Sequence, residues 1–365
     1  MNSSEPALPR LIAFYLPQYY PTPENSAWWE PGFTEWHNVT RARPLFRGHE
    51  QPHLPADLGF YDLRVPESRA AQAELARRYG IGAFCYYHYW FHGRRLLERP
   101  FAEVLASGEP DFPFCLSWAN GSWTRRWNGD ERNTLLAQEY SLKDDETHFH
   151  ALLPAFRDPR YLRHDGCPLF LIHNPTRLPD PRATCVLWQK LARENGLPGL
   201  HLLAVESVRE QHRDPRADGF DAAVQFQPDI LAQAGRPWHR RRVRLGKLLR
   251  LRSAFMNHLI VPYSKLVERA LSQPAPAYPR YPGITPRWDN TARVKNGGVI
   301  LRDSTPGLFE RWLRRILTDQ RPPYVFINAW NEWAEGCHLE PCQQHGHAYL
   351  EAILRATQAP SPQSD

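Results

Sequence analysis

Tyr324-Val-Phe-Ile-Asn-Ala-Trp-Asn-Glu-Trp-Ala-Glu-Gly336 is the stretch that decides the fold. It opens as a short aromatic and β-branched run, the pattern of a buried strand over Tyr324 to Trp330. It then breaks into tryptophan, asparagine and glutamate. Polar and aromatic residues gathered at the end of a strand suit a (β/α)₈ barrel, whose active site lies at the C-terminal strand ends. Further runs of the same design precede it. They are Leu11 to Leu16, Ala83 to Tyr89, Phe112 to Trp118, Leu169 to His173, His201 to Val205, Ala222 to Phe226 and, with the weakest pattern, Gly283 to Arg287.

Helical patterns alternate with these runs. The first, Pro66 to Gly80, has proline at its start and glycine at its end, the expected punctuation. Lys143 to Leu153, Pro181 to Asn195 (with Asp180 placed to cap it), Pro306 to Thr318 and a last helix to about Ala356 follow. Such alternation predicts a parallel sheet, and eight strand candidates favour a closed barrel over a doubly wound sheet. The 365 residues exceed the roughly 250 of a minimal barrel, which leaves room for long loops. The expectation is therefore α/β: a single (β/α)₈ TIM-type barrel over residues 1–357, an insertion at about 229–282 before strand seven, and a disordered tail at 358–365.

Hydrophobic residues at 42% suffice for a large core, and 35 prolines imply rigid loops. The 13 tryptophans cluster in loops rather than scatter, as stacking platforms for sugars would. A net charge of +6 comes from one acid-free run, Arg236, Arg240, Arg241, Arg242, Arg244, Lys247, Arg250 and Arg252; without those residues it falls to −2. The bulk charge thus gives no sign of a nucleic-acid partner. The run itself reads first as a solvated helix face, and second as a patch for an acidic glycan, a lipid-linked phosphate or an anionic membrane surface. Cys85 and Cys115 read as small buried hydrophobes, and Cys337 and Cys342 stand close enough in sequence to approach each other. The N-terminal residues lack a signal-peptide pattern and no apolar run spans a bilayer, so a cytoplasmic protein, open to peripheral membrane contact, is expected.

Glu332 and Glu335 follow strand eight directly. A three-residue spacing on a helical turn sets side chains about 5–6 Å apart at Cβ, near the separation of about 5–5.5 Å used by retaining glycosidases. Crowding two acids beside Trp330, Asn331 and Trp333 raises one carboxyl pKa and divides the acid and base tasks. A bland alternative is a solvated pair capping the last helix. His338 and Glu340 lie close by, but no metal-ligand spacing surrounds them, and no metal or cofactor is expected.

Other strand ends offer substrate contacts. Trp118 and Trp123 can stack on sugar faces, although one of them is expected merely to close the barrel top. Asn120 can bond hydroxyls as donor and acceptor. Strand alternation allows about half of residues 86–90 to face the site, with Tyr87 and Tyr89 favoured. Tyr15 and Glu35 are candidate hydroxyl binders, Glu35 equally a loop brace. Arg287, Trp288 and Asp289 supply a cation, a flat face and a carboxylate, or else a structural ion pair. The absence of G-x-G-x-x-G, G-K-[ST] and G-x-S-x-G patterns counts against a nucleotide-cofactor enzyme and a serine hydrolase.

With these residues in view, the chain resembles the glycoside hydrolase family 99-like proteins, including the WbsX-like group of bacterial polysaccharide-biosynthesis proteins. The matching segments are AFYLPQYYPTPENSAWWEPGFTEWHNV, HEQPHLPADLGFYDLR, GIGAFCYYHYWFHGRRLLERP, FCLSWANGSWTRRWNG, YPGITPRWDNT and NAWNEWAEGCHLEP, spread over nearly the whole chain. The resemblance implies a barrel acting on glycans by a retaining route. One glutamate takes the proton of a sugar 2-hydroxyl, which attacks its own anomeric carbon; the other protonates the leaving oxygen and then activates water. Through the E-W-x-E match, Glu332 would be the base and Glu335 the acid/base, and no metal or cofactor is implied. Family 99 mannosidases are exported or luminal, whereas the WbsX-like group accompanies O-antigen and capsule genes and is often assigned as glycosyltransferases. Three functions follow as expectations: a retaining hydrolase or transglycosylase of surface polysaccharide, a glycosyltransferase, and a non-catalytic glycan binder. The missing D-x-D motif counts against a metal-dependent sugar-nucleotide transferase.

Overall fold

In the computed structural model the described residues are 9–125, 130–206, 213–229 and 253–358. Their main sheet is a ring of parallel strands. These are β1 (Arg10–Tyr15), β2 (Ile81–Phe91), β3 (Phe114–Trp118), β4 (Cys167–Ile172), β5 (His201–Glu206), β6 (Ala222–Gln225), β7 (Arg280–Tyr281 and Gly283–Ile284) and β8 (Tyr324–Ile327). Each pairs with the next, and β1 pairs with β8, Arg10 opposite Tyr324. The interior strands are buried on both faces, as a parallel sheet covered by helices requires; Leu169, Phe170, Leu171 and Ile172 of β4 are all wholly buried.

β7 closes the ring in two halves. Arg280–Tyr281 bonds to β6 and Gly283–Ile284 bonds to β8, with Pro282 between them. Proline has no N–H to give to a ladder, so the strand changes partners there. Gly283 is required by contact: a Cβ would sit 1.8 Å from the Gln225 carbonyl oxygen. The sequence pattern placed this strand at Gly283 to Arg287. The chain turns away at Thr285, whose hydroxyl donates to the Arg287 carbonyl (2.8 Å), so β7 starts and ends earlier. β8 likewise stops at Ile327, before Trp330, because the Ala329 and Trp330 N–H groups turn to the carbonyls of Cys337 and Phe14.

Around the ring run α1 (Pro66–Arg78), α2 (Arg99–Ser107), α3 (Leu142–Arg157), α4 (Pro181–Glu194), α5 (Tyr263–Ser272), α6 (Pro306–Asp319) and α7 (Ala348–Thr357). Side chains cap several starts: Ser141 accepts from the Asp144 N–H and Asp180 from the Ala183 N–H. Between β5 and β6 the described residues hold a 3₁₀ turn, Pro215–Asp218. Within the stretch 229–282, α5 buries Tyr263, Leu266 and Val267 and packs on α6, so this part serves as a barrel helix. A short strand before it, Leu259–Pro262, pairs with Val299–Arg302 above the barrel. The basic run 236–252 and the tail from 359 lie outside the described residues. Among the described residues no helix is long and apolar enough to cross a membrane. Cys337 and Cys342 are both buried free thiols.

Candidate active site

Beyond β8 the chain folds into a tight hairpin. Asn331–Glu332 pairs antiparallel with Cys337–His338, and the 3₁₀ turn Trp333–Glu335 joins them. Gly336 ends that turn with φ 64°, and a Cβ there would lie 2.9 Å from the Asp289 backbone nitrogen. Glycine is needed on both counts, because L side chains avoid that conformation and the β7 loop lies against it. The Asp289 N–H donates to the Glu335 carbonyl at 2.8 Å, so the loop after β7 holds the hairpin directly. Trp333 anchors its underside. Its indole N–H donates to Glu340 at 2.6 Å and its ring stacks on His338, centroids 3.7 Å apart.

Glu332 and Glu335 meet at a single guanidinium. Arg293 Nη2 lies 3.0 Å from Glu332 Oε2 and Nη1 lies 2.7 Å from Glu335 Oε1. Nε donates to Glu35 at 3.0 Å, so three carboxylates from two distant segments share one cation. Glu35 is fully buried, Glu332 is 6% exposed, and the Glu335 side chain retains 25% exposure. Burial pushes the Glu332 carboxyl up to about 8; Arg293 opposes the rise, while the charges of Glu335 and Glu35 add to it. Burial also raises Glu35 against the pull of Arg293. For Arg293 burial works against the charge, and the three glutamates more than restore it.

This group opens into a cavity of about 230 Å³ lined by Gln18, Trp29, Tyr89, Trp123, Arg293 and Glu332, among others. Trp123 stands edge-on to Trp28 and Tyr89, with centroids 5.4 and 5.3 Å away. Tyr87 stacks on Phe14 inside the barrel (5.5 Å) and is close enough for Glu332 and Glu335 to help hold its hydroxyl protonated, after burial itself. The geometry therefore gathers Glu35, Tyr87, Tyr89, Trp123, Glu332 and Glu335 from the residues chosen by sequence.

Several others go elsewhere, and their role as substrate contacts is corrected. The Tyr15 hydroxyl faces α1 and donates to Gln72 at 2.6 Å. Trp118 is fully buried on the helix side, against His148 and Trp188. Asn120 spends its amide on the loop after β4, donating to the Asn174 carbonyl (2.9 Å) and accepting from its N–H (2.7 Å). Trp330 is wholly buried against Phe84. Asn331 clamps the Leu16 backbone, accepting from its N–H (2.7 Å) and donating to its carbonyl (3.0 Å). Arg287, Trp288 and Asp289 line a separate small cleft with His49 and His53. Arg287 and Asp289 form no pair: Arg287 reaches His338 (2.8 Å), and Asp289 accepts from Gln51 (2.8 Å) and meets His49 Nε2 (2.6 Å).

Sequence reasoning missed Arg293, Tyr19 and Gln18. Tyr19 donates to the Asn331 carbonyl and accepts from the Trp333 N–H (3.2 Å), bracing the Trp333–Glu335 turn from the β1 side. Arg293 follows the R-W-D-N stretch by three residues, and its proximity to that motif was the one available signal.

A family model described as Glycosyltransferase WbsX matches residues 11–353. WxcX of Xanthomonas campestris pv. campestris, itself uncharacterized, is 42% identical over 357 residues, covering 96% of this chain and 50% of its own length. This chain thus spans about half of that relative. Among solved structures, a GH99 endo-alpha-mannosidase from Bacteroides thetaiotaomicron is similar with TM-score 0.59 at 14% identity, over 95% of both chains. A glycoside hydrolase-like protein is similar with TM-score 0.58 at 13% identity, over 99% of this chain and 97% of the other. At such identities the structural likeness concerns the fold.

Proposed function

The chain belongs to the WbsX glycosyltransferase family, and from that premise we propose a retaining glycoside hydrolase or transglycosylase that acts on a bacterial surface polysaccharide or its precursor. The observation that carries the reading is the Glu332–Arg293–Glu335 bridge, whose Glu332 and Arg293 line a cavity bearing Trp29, Tyr89 and Trp123. The cavity is below the roughly 300–1,000 Å³ of sites for drug-sized ligands and suits one sugar residue. Tryptophan faces match the C–H patches of a sugar ring.

In this reading Glu332 takes the proton of the sugar 2-hydroxyl as that oxygen bonds to the anomeric carbon. The bond to the leaving oxygen breaks with its electron pair, and Glu335 supplies the proton. Water, or the hydroxyl of a second sugar, then opens the three-membered ring as Glu335 takes its proton back and Glu332 returns one to the 2-oxygen. A carboxyl held at about 8 is mostly protonated at neutral pH, so the ionised Glu332 that acts as base is the minor form there, more basic than an ordinary carboxylate, and the rate of this step should rise as pH climbs toward 8.

A transferase using an activated sugar donor is the second reading, favoured by the family's description. The test incubates the protein with α-linked manno-oligosaccharides and bacterial surface polysaccharides, with and without sugar-nucleotide donors, and follows products by mass spectrometry. Cleavage or transglycosylation that drops about 10²–10⁴-fold in Glu335→Gln supports the first reading. Full activity in that variant refutes it. Extension only with a sugar nucleotide supports the second, and glycan binding without turnover leaves a binding protein.

A further inference from the structure

The proposed reaction assigns work to Glu332 and Glu335 but none to the cation between them. A guanidinium is a rigid plane whose N–H groups leave in fixed directions. In Arg293 each of its nitrogens meets a different glutamate: Nε meets Glu35, Nη2 meets Glu332 and Nη1 meets Glu335. The three carboxylates enter from the loop after β1 and from the hairpin after β8, and Arg293 itself from the loop after β7. A point-like ammonium could not set three partners at fixed angles.

Glu35 has the features of an anchor. It is fully buried at the first turn of a short helix, Glu35–Arg41, whose start is fixed by a reciprocal capping box between Thr34 and His37. Its backbone N–H donates to the Gln18 carbonyl. A fully buried carboxylate cannot reach substrate without opening that helix start. Tyr19, Tyr87, Tyr89 and Cys337 also face the group, each held neutral first by burial and further by the charge of Glu332.

We propose that Arg293 is the positioning residue of the carboxylate pair, fixed by Glu35, and that it sets both the spacing and the proton occupancy of Glu332 and Glu335. The proposal rests on the reading of those two glutamates as the reacting groups. Three carboxylates and one cation in a buried space cannot all stay ionised, because like charges at close range hold a proton between them. With Arg293 present, the fully ionised group would carry an excess of two negative charges, and without it three. Without it, the carboxylates bind protons more tightly and lose the fork that aims them.

The experiment titrates carboxyl protonation by infrared difference spectroscopy in wild type, Arg293→Gln and Arg293→Lys, with Glu332→Gln used to assign the band. No substrate is involved. In Arg293→Gln the Glu332 midpoint should rise by about one to three pH units, the effect of removing an adjacent cation. Arg293→Lys should keep the midpoint near wild type, since it keeps the charge. It should still lose at least about tenfold in kcat with little change in KM, since it lacks the fork. An unchanged midpoint in Arg293→Gln, or wild-type kcat in Arg293→Lys, overturns the proposal. If Arg293→Gln does not fold, the lysine variant alone decides by its kcat. If wild type turns over no glycan, the proposed function falls, while the titration still decides whether Arg293 controls the carboxyl proton.

Discussion

Glu332→Gln should make the protein more stable in mild alkali, and by a calculable amount. The Glu332 carboxyl lies at about 8 in the folded chain against an ordinary value of 4.5. The sign follows from proton binding. Below 4.5 both states hold the proton, and the favourable protonated burial is fully present. As pH rises through 4.5 the unfolded state ionises first, so stability falls until the folded state also ionises near 8. Each pH unit of separation is worth about 1.4 kcal/mol, so the whole loss is about 5 kcal/mol, of which about 4 falls between pH 5 and 8.5. Glutamine keeps the shape and cannot ionise, so it escapes that loss. With an unfolding entropy of about 2.1 cal/mol/K per residue, a chain of this size gains about 5 °C in Tm per 4 kcal/mol. The assay is a pair of thermal melts, wild type and Glu332→Gln, from pH 5 to 8.5. The variant should match wild type within a degree or two at pH 5 and pull ahead steadily above pH 6. Parallel curves over the whole range would refute the argument that the fold holds this carboxyl protonated.

Other expectations rest on single contacts. Trp118→Ala should cost about 3–5 kcal/mol in urea unfolding, as truncation of a buried aromatic does, whereas Trp123→Ala should cost less and abolish glycan binding in calorimetry. Equal stability losses for the two would contradict their placement. Gly283→Ala drives a methyl into the Gln225 carbonyl at the closing strand, and should lower Tm or yield insoluble protein, read by melting and solubility. Asn331→Ala strips the Leu16 N–H and carbonyl of their partners and should cost about 1–3 kcal/mol per stranded group, measured by denaturant unfolding.

Much of the architecture was legible because apolar runs and helix punctuation are local. Pro66, Asp180 and Pro306 marked helix starts, and the acids after β8 stood where a barrel puts its chemistry. Facing was harder to read. Alternation says that Tyr87 and Tyr89 share a side, but it does not say which side Trp118 or Tyr15 takes, and an irregular register between Leu11 and Ile12 disturbs the phase at β1. The amides of Asn120 and Asn331 looked like sugar binders because a polar side chain at a strand end fits two tasks equally. Their actual partners are backbone groups far along the chain, which no local pattern marks. Arg293 was missed for the same reason: it sits in a polar loop without periodicity, and only its place between three distant carboxylates distinguishes it.

The pairing of β1 with β8 has a consequence for how the protein comes into being on the ribosome. Glu35 is made well before Arg293, and Glu332 and Glu335 later still, while the ring is sealed only when Tyr324 comes to lie beside Arg10. Contacts so far apart in sequence form slowly, since a long loop must close before any of them is gained. A nascent chain halted before β8 therefore has an open sheet with unpaired edges on β1, the kind of edge that recruits other chains. It has no acid pair either, so the candidate site is assembled only after the hairpin beyond β8 has emerged, and a product truncated before β8 would aggregate.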